Sequence, residues 1–176
     1  MEFVIIDFET TGLSNQDKII EIGYAHVKGN DIVRTGGKII NPGIKWLSSR
    51  ITAITGITTD MVKKADKIED IFPKFHKFLK NKLIVAHNAS FDMRFLNNQL
   101  EAMGEERINN YLCTKKLFKE YKKLNGIGSK GEKLEDLVRH FNLTNERAHR
   151  AESDAYVTAK AFIKMIEHID YKLYIK

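Results

Sequence analysis

Phe3-Val4-Ile5-Ile6 opens the chain as an apolar run that reads as a strand over about residues 2–9. Side chains alternate across a strand, so Phe3, Ile5, Asp7 and Glu9 share one face and Val4, Ile6 and Phe8 the other. Both faces begin apolar, as in a central strand covered on each side. Two further strands are expected over 18–27 and 31–40, joined by the hairpin signal Lys28-Gly29-Asn30-Asp31. Short helices follow between Leu47 and Lys80. Leu83-Ile84-Val85-Ala86 suits a buried parallel strand over 82–86. A helix over 90–103 then starts at Ser90 as N-cap, with Phe91 and Phe95 turned to the core. A strand over 108–113 and helices over 115–123 and 132–141 lead to the last helix. There Ala155, Ala159, Phe162, Ile166 and Ile169 recur at steps of three and four. Strands that alternate with helices pair in parallel through crossovers. The expected class is therefore α/β, a mixed five-stranded sheet with helices on both faces, in a single domain spanning 1–176.

Composition narrows the partners. The apolar fraction of 43% is ordinary for a globular chain, and 176 residues can bury a substantial core. No apolar stretch is long enough to span a bilayer, and the first segment reads as a strand, not a signal peptide. No membrane association and a cytoplasmic location are the expectations. The one cysteine, Cys113, excludes an internal disulfide and a cysteine-ligated zinc, and reads as a small core residue. A net charge of +6 suits a polyanionic partner. The densest basic stretch runs from Lys115 to Lys133 around Asn125-Gly126-Ile127-Gly128-Ser129. It reads either as a mobile loop that contacts phosphates or as a solvated helix face followed by a loose turn.

Three short motifs carry the candidate chemistry. In the first, Asp7-Phe8-Glu9-Thr10-Thr11-Gly12, the two acids project side by side, roughly 6–7 Å apart along the strand. Like charges at the end of a buried strand are costly unless paired or bound to a cation. The small residues after them let backbone N–H groups approach a ligand closely. In the second, His87-Asn88-Ala89-Ser90-Phe91-Asp92, a strand ends and a helix begins. Ligand sites of open α/β sheets gather at such points, although an acid in a first turn is favoured by the helix dipole alone. The third runs from His149 through Arg150, Ala151, Glu152 and Ser153 to Asp154, at the start of the last helix. Five helical residues turn by about 500°, so His149 is placed on the loop before the helix, free to swing over the site. Four carboxylates at one sheet edge suit a pair of hard divalent cations, Mg²⁺ or Mn²⁺. Such pairs serve in-line displacement at phosphorus, and a neutral histidine suits the proton acceptor. The residues thus point to a metal-dependent phosphodiesterase with His149 as general base.

The motif set resembles the DEDDh (DnaQ-like) exonucleases. This group includes the epsilon-type proofreading subunit of bacterial DNA polymerase III, ribonuclease T and oligoribonuclease. The likeness covers nearly the whole chain. It rests on Asp7–Leu13, Val85–Asp92 and His149–Ala155, with Asn41-Pro42 and Ile54-Thr55-Gly56-Ile57-Thr58 similar to a segment of proofreading members. It implies a ribonuclease H-like fold and 3′→5′ hydrolysis to nucleoside 5′-monophosphates. It also implies that Asp7, Glu9 and Asp154 hold the metal under the attacking water. Asp7 would bridge to a second metal, where Asp92 acts largely through water. Thr10, Thr11 and Leu13 would contact the terminal nucleotide around the Gly12 turn, with Leu13 wedged against its base. His87, Asn88 and Phe91 would line the same pocket. Single-stranded DNA 3′ ends are the expected substrate, from the segment Ile54–Thr58. Trimming of RNA stays open, because no residue fixes whether a 2′-hydroxyl is accepted. A polymerase is a candidate partner, but the chain ends at Lys176 without the tethering tail of the classical proofreading subunit. A non-catalytic module on this fold would be expected to lack one or more carboxylates, and all are present.

Overall fold

The computed structural model describes residues 2–128 and 130–176. Five strands form one sheet: β1 (Glu2–Thr10), β2 (Ile19–Lys28), β3 (Asp31–Ile39), β4 (Leu83–Ala86) and β5 (Tyr111–Cys113). Their order is β3-β2-β1-β4-β5. β1 runs antiparallel to β2 and parallel to β4, so the sheet is mixed as its sequence implies. The hairpin stands where expected, with Lys28 opposite Asp31 and Gly29 at a φ of 59°. The helices are α1 (Ser49–Thr55), α2 (Thr59–Lys64), α3 (Ile68–Leu79), α4 (Ser90–Ala102), α5 (Thr114–Leu124), α6 (Leu134–His140) and α7 (Ala151–Ile166). A short 3₁₀ turn, Tyr171–Tyr174, follows. No described helix is long and apolar enough to cross a membrane.

The alternation in β1 divides the core. Val4, Ile6 and Phe8 pack with Phe72, Phe75 and Leu79 of α3 and with Met93, Phe95 and Leu96 of α4. Phe3 and Ile5 pack on the other face with Leu117 and Phe118 of α5 and with Ala155, Ala159 and Phe162 of α7. Asp7 and Glu9 continue the α7 face just where its apolar residues stop. Cys113 is half-buried against the first core.

Several boundaries differ from the sequence reading, each for a local reason. The last strand is three residues long, because Asn97 replaces strand pairing at Ile108. Its buried amide accepts from the Ile108 N–H at 2.8 Å and donates to the Ile108 carbonyl at 3.1 Å. Ser90 is not the cap of α4; Ala89 holds that place with no side-chain cap bond. α6 starts at Leu134, with the Lys133 N–H bound by the Asp136 carboxylate at 3.1 Å. In the basic stretch, Lys122 is an interior residue that donates to the carbonyls of Lys130 (3.1 Å) and Gly131 (2.7 Å). It fastens the loop and is not available to a phosphate. Ser129, part of that expectation, lies outside the described residues.

Gly23 sets how closely α7 approaches the sheet. It pairs with Asp7 across β1 and β2, and a Cβ at this position would lie 2.0 Å from the backbone carbon of Ala151. Only a residue without a side chain admits the helix start here. Gly23→Ala is expected to lower stability by about 3 kcal/mol, the upper end of overpacking costs, and to lower activity by shifting Asp154. Urea denaturation with a parallel rate assay checks this. An unchanged midpoint and rate would refute it.

Candidate active site

β1, β4, α4 and α7 bring the expected acids to one end of the sheet. Carboxylate oxygens of Asp7, Glu9 and Asp154 lie within 4.8 Å of one another. β4 pairs with β1 only as far as Ile5 opposite Val85, so β1 overhangs its neighbour. Beyond that point the Phe8 N–H donates to Asp92 Oδ1 at 3.1 Å, which draws the start of α4 toward the cluster. Asp92 is buried beside Asp7 but stands outside the group of three.

The electrostatics are those of an unneutralised anion site. Burial pushes the Asp7 carboxyl well above its usual range, and the charges of Asp92, Asp154 and Glu9 add to the effect. Burial raises Glu9 to about 8, with Asp154 and Glu21 as the next causes. Asp92 is also raised to about 8 by burial, against the opposing Phe8 N–H bond. Burial raises Asp154 too, opposed by the Asn145 amide. Converging oxygens held at this electrostatic cost, with no lysine or arginine among the ligand atoms, fit hard divalent cations. Hydrogen bonds aim Asp154. Asn145 Nδ2 donates to one oxygen at 2.5 Å and the His149 N–H to the other at 3.2 Å.

His149 lies on the loop before α7, as expected, with an exposed ring. Its backbone is not free to swing, because its N–H is bound to Asp154. A groove of about 1050 Å³ runs past this residue, lined by Leu13, His87, Asn88, Lys115, Lys133 and Asp154 among others. Leu13 is 77% exposed at its rim, and its carbonyl is held by Arg94 Nη2 at 2.8 Å. Asn88 is exposed with a φ of 61°.

Other expected contact residues are occupied within the protein. Thr10 Oγ1 donates to the Gly12 carbonyl at 2.6 Å, and Thr11 Oγ1 donates to Asp17 at 2.7 Å. Their hydroxyls build the turn, which leaves backbone groups to face a ligand. Gly12 has the Asp17 carboxylate where a Cβ would stand, at 2.6 Å. Phe91 is half-buried, with its ring 5.0 Å from Phe95. His87 lines the groove, yet both its nitrogens are engaged: Nδ1 with Thr114 Oγ1 and Nε2 with the Glu132 carbonyl, each at 3.0 Å. A carbonyl only accepts, so Nε2 carries the proton and Nδ1 accepts from Thr114. Burial lowers the His87 pKa to about 4, which keeps the ring neutral.

Four residues of the site were given no role by the motifs, although Arg150 stands within the third of them. Asn145 and Arg94 position Asp154 and Leu13, and neither stands at a spacing that would announce it. Glu21, which is buried, and Arg150, which is half-buried, form an ion pair beside Glu9. Glu21 was visible as a lone acid inside the apolar run Ile19-Ile20-Glu21-Ile22, a placement that demands a cation.

Comparison with known proteins agrees with this geometry. The exonuclease family model (RNase_T) matches residues 4–162. The chain belongs to this family of exonucleases, and it is therefore an enzyme, a nuclease. Its sequence is 44% identical over 170 residues to the PolC-type DNA polymerase III of Caldanaerobacter subterraneus subsp. tengcongensis. That match covers 96% of this chain and 12% of the relative, so the chain spans about an eighth of the relative's length. Among solved structures, exonuclease X in complex with 5′-overhanging duplex DNA is 30% identical with a TM-score of 0.74, covering 94% of this chain and 91% of that one. The nuclease domain of 3′hExo, a DEDDh family member bound to rAMP, has a TM-score of 0.81 at 21% identity, covering 99% and 96%. The fold is ribonuclease H-like.

Proposed function

We propose that residues 1–176 form one 3′→5′ exonuclease domain that takes single-stranded DNA ends and releases nucleoside 5′-monophosphates. The observation that supports this most is the convergence of Asp7, Glu9 and Asp154 within 4.8 Å beside the groove edged by Leu13 and His149. Asp7, Glu9 and Asp154 would hold one divalent cation, and Asp7 with Asp92 a second. When bound, such ions supply Lewis-acid chemistry, neutralising phosphate charge during an in-line displacement. Asn145 and the His149 N–H keep Asp154 aimed at the cluster. The exposed His149 ring takes the proton of the attacking water. Leu13 wedges against the last base, and the Gly12 turn leaves room for one terminal nucleotide. Lys115 and Lys133 draw the strand into the groove by charge.

DNA is preferred over RNA on the likeness to PolC-type polymerases. A polymerase is the matching partner, and Mg²⁺ or Mn²⁺ the matching cofactor. Matched DNA and RNA oligomers, digested side by side, test the preference. DNA is expected to be shortened faster by at least about tenfold, a difference of about 1.4 kcal/mol in transition-state binding. Equal or faster loss of RNA would replace this reading with an exoribonuclease.

A further inference from the structure

The loop that presents His149 turns through a left-handed backbone conformation at that one residue. His149 has a φ of 61°, in the left-handed region. A residue with a Cβ meets steric resistance there, and the conformation persists where the surroundings impose it. Before His149, the Arg147 N–H donates to Ser153 Oγ at 3.3 Å, and that hydroxyl donates to Asn145 Oδ1 at 2.6 Å. At His149 its own N–H donates to Asp154 Oδ2, and after it the Arg150 N–H donates to the Arg147 carbonyl at 3.2 Å while the Arg150 side chain reaches across to the sheet. Arg150 Nε lies 3.1 Å from both oxygens of Glu21, and Nη2 donates to Oε1 at 2.5 Å. Glu21 is 3% exposed, pairs with Glu9 across the sheet, and accepts the Ala151 N–H at 3.0 Å.

Neutralising a buried acid would require only a cation. The arrangement does more, because a planar fork on two oxygens fixes direction as well as charge. It joins the residue after His149 to the strand beside the acids. Resting on the reading of His149 as general base, we propose that Glu21 and Arg150 are a positioning pair that holds the His149 backbone in its left-handed turn and so aims its ring. Neither side chain touches reacting atoms. Arg150 also lines a cleft of about 880 Å³ with Arg147 and Lys64, which offers a competing role as a phosphate contact.

Arg150→Lys tests the pair, since it keeps a cation for Glu21 and removes the fork. With Mn²⁺ and a single-stranded oligomer, kcat is expected to fall about 10–10²-fold, the scale of a small misplacement of a catalytic group. KM and the Mn²⁺ affinity by calorimetry should stay within about twofold, below 0.5 kcal/mol in binding. In a His149→Ala background the same substitution should cost less than about twofold, because residues acting through one another are non-additive. If Arg150→Lys does not fold, the double variant Glu21→Gln, Arg150→Met removes both charges and serves the same comparison. Equal losses in both backgrounds would overturn the pair. So would a raised KM with kcat kept, which marks a phosphate contact, or weakened Mn²⁺ binding, which marks support of Asp154. His149→Ala alone separates the two claims. Full kcat there removes the general-base reading and this inference with it, whereas a lost kcat with additive Arg150 losses removes only the pair.

Discussion

Asp7→Ala and Asp154→Ala are each expected to lower hydrolysis on the order of 10³-fold or more, since metal-ion catalysis supplies several kcal/mol of charge stabilisation. Metal-free stability should hold steady or rise in both variants. Burial holds Asp7 and Asp154 above their usual pKa range, and the charges of Asp92, Asp154 and Glu9 add to it at Asp7, so each ionised acid is a cost to the folded state when no cation is present. Removing one relieves the rest. The pH dependence follows with a definite sign. Glu9 is raised from 4.5 to about 8, so its contribution to stability is present below its unfolded pKa and is lost as pH rises through about 8. His87 acts the other way. Lowered from 6.5 to about 4, it contributes above pH 6.5 and loses that contribution as pH falls through about 4. Between pH 6.5 and 8 the carboxylates act alone. In chelator the parent should lose stability across that window, Glu9→Gln should lose less, and added Mn²⁺ should restore the parent. Thermal denaturation across pH reads all three. Unfolding of Asp7→Ala or Asp154→Ala in chelator would mean that these acids serve the fold.

His149→Ala is expected to cost about 10²–10⁴ in rate, the usual contribution of a general base. Metal affinity should remain near the parent value, because the cluster within 4.8 Å consists of Asp7, Glu9 and Asp154 without this ring. The His149 N–H that aims Asp154 belongs to the backbone and survives the substitution. Alanine is less at ease than histidine at a φ of 61°, so His149→Asn, a residue type that tolerates this region, gives the matched control. Both variants should lose rate alike and bind Mn²⁺ alike in calorimetry. A collapse of affinity in His149→Asn would make the ring a ligand. Retained rate would leave the attacking water with a different proton acceptor.

The strand face carrying Phe3, Ile5, Asp7 and Glu9 was readable because period-two alternation survives intact through β1. The placement of Asp92 and Asp154 was readable because each opens a helix with a clear apolar stripe. What escaped was set by tertiary partners. Nothing local tells that Thr11 spends its hydroxyl on Asp17, or that His87 spans Thr114 and Glu132, 27 and 45 residues away. Ile108 belonged to a strand by pattern and was taken from it by Asn97. Asn145 reaches Asp154 across an irregular loop with no period to betray it. Lys122 counted toward a basic surface, yet its amine turns inward to two carbonyls. Charge was legible; its direction was not.

The central claim is a metal-dependent attack that starts at a free 3′ end and removes one nucleotide at a time. The most direct test is a time course on a 5′-labelled single-stranded DNA oligomer with Mn²⁺, beside the same oligomer ending in a 3′-phosphate and a closed circular single strand. The linear strand with a free 3′-hydroxyl should shorten in single-nucleotide steps and yield only 5′-mononucleotides, while the blocked oligomer and the circle persist. Cleavage of the circle, or early internal fragments from the linear strand, would contradict it.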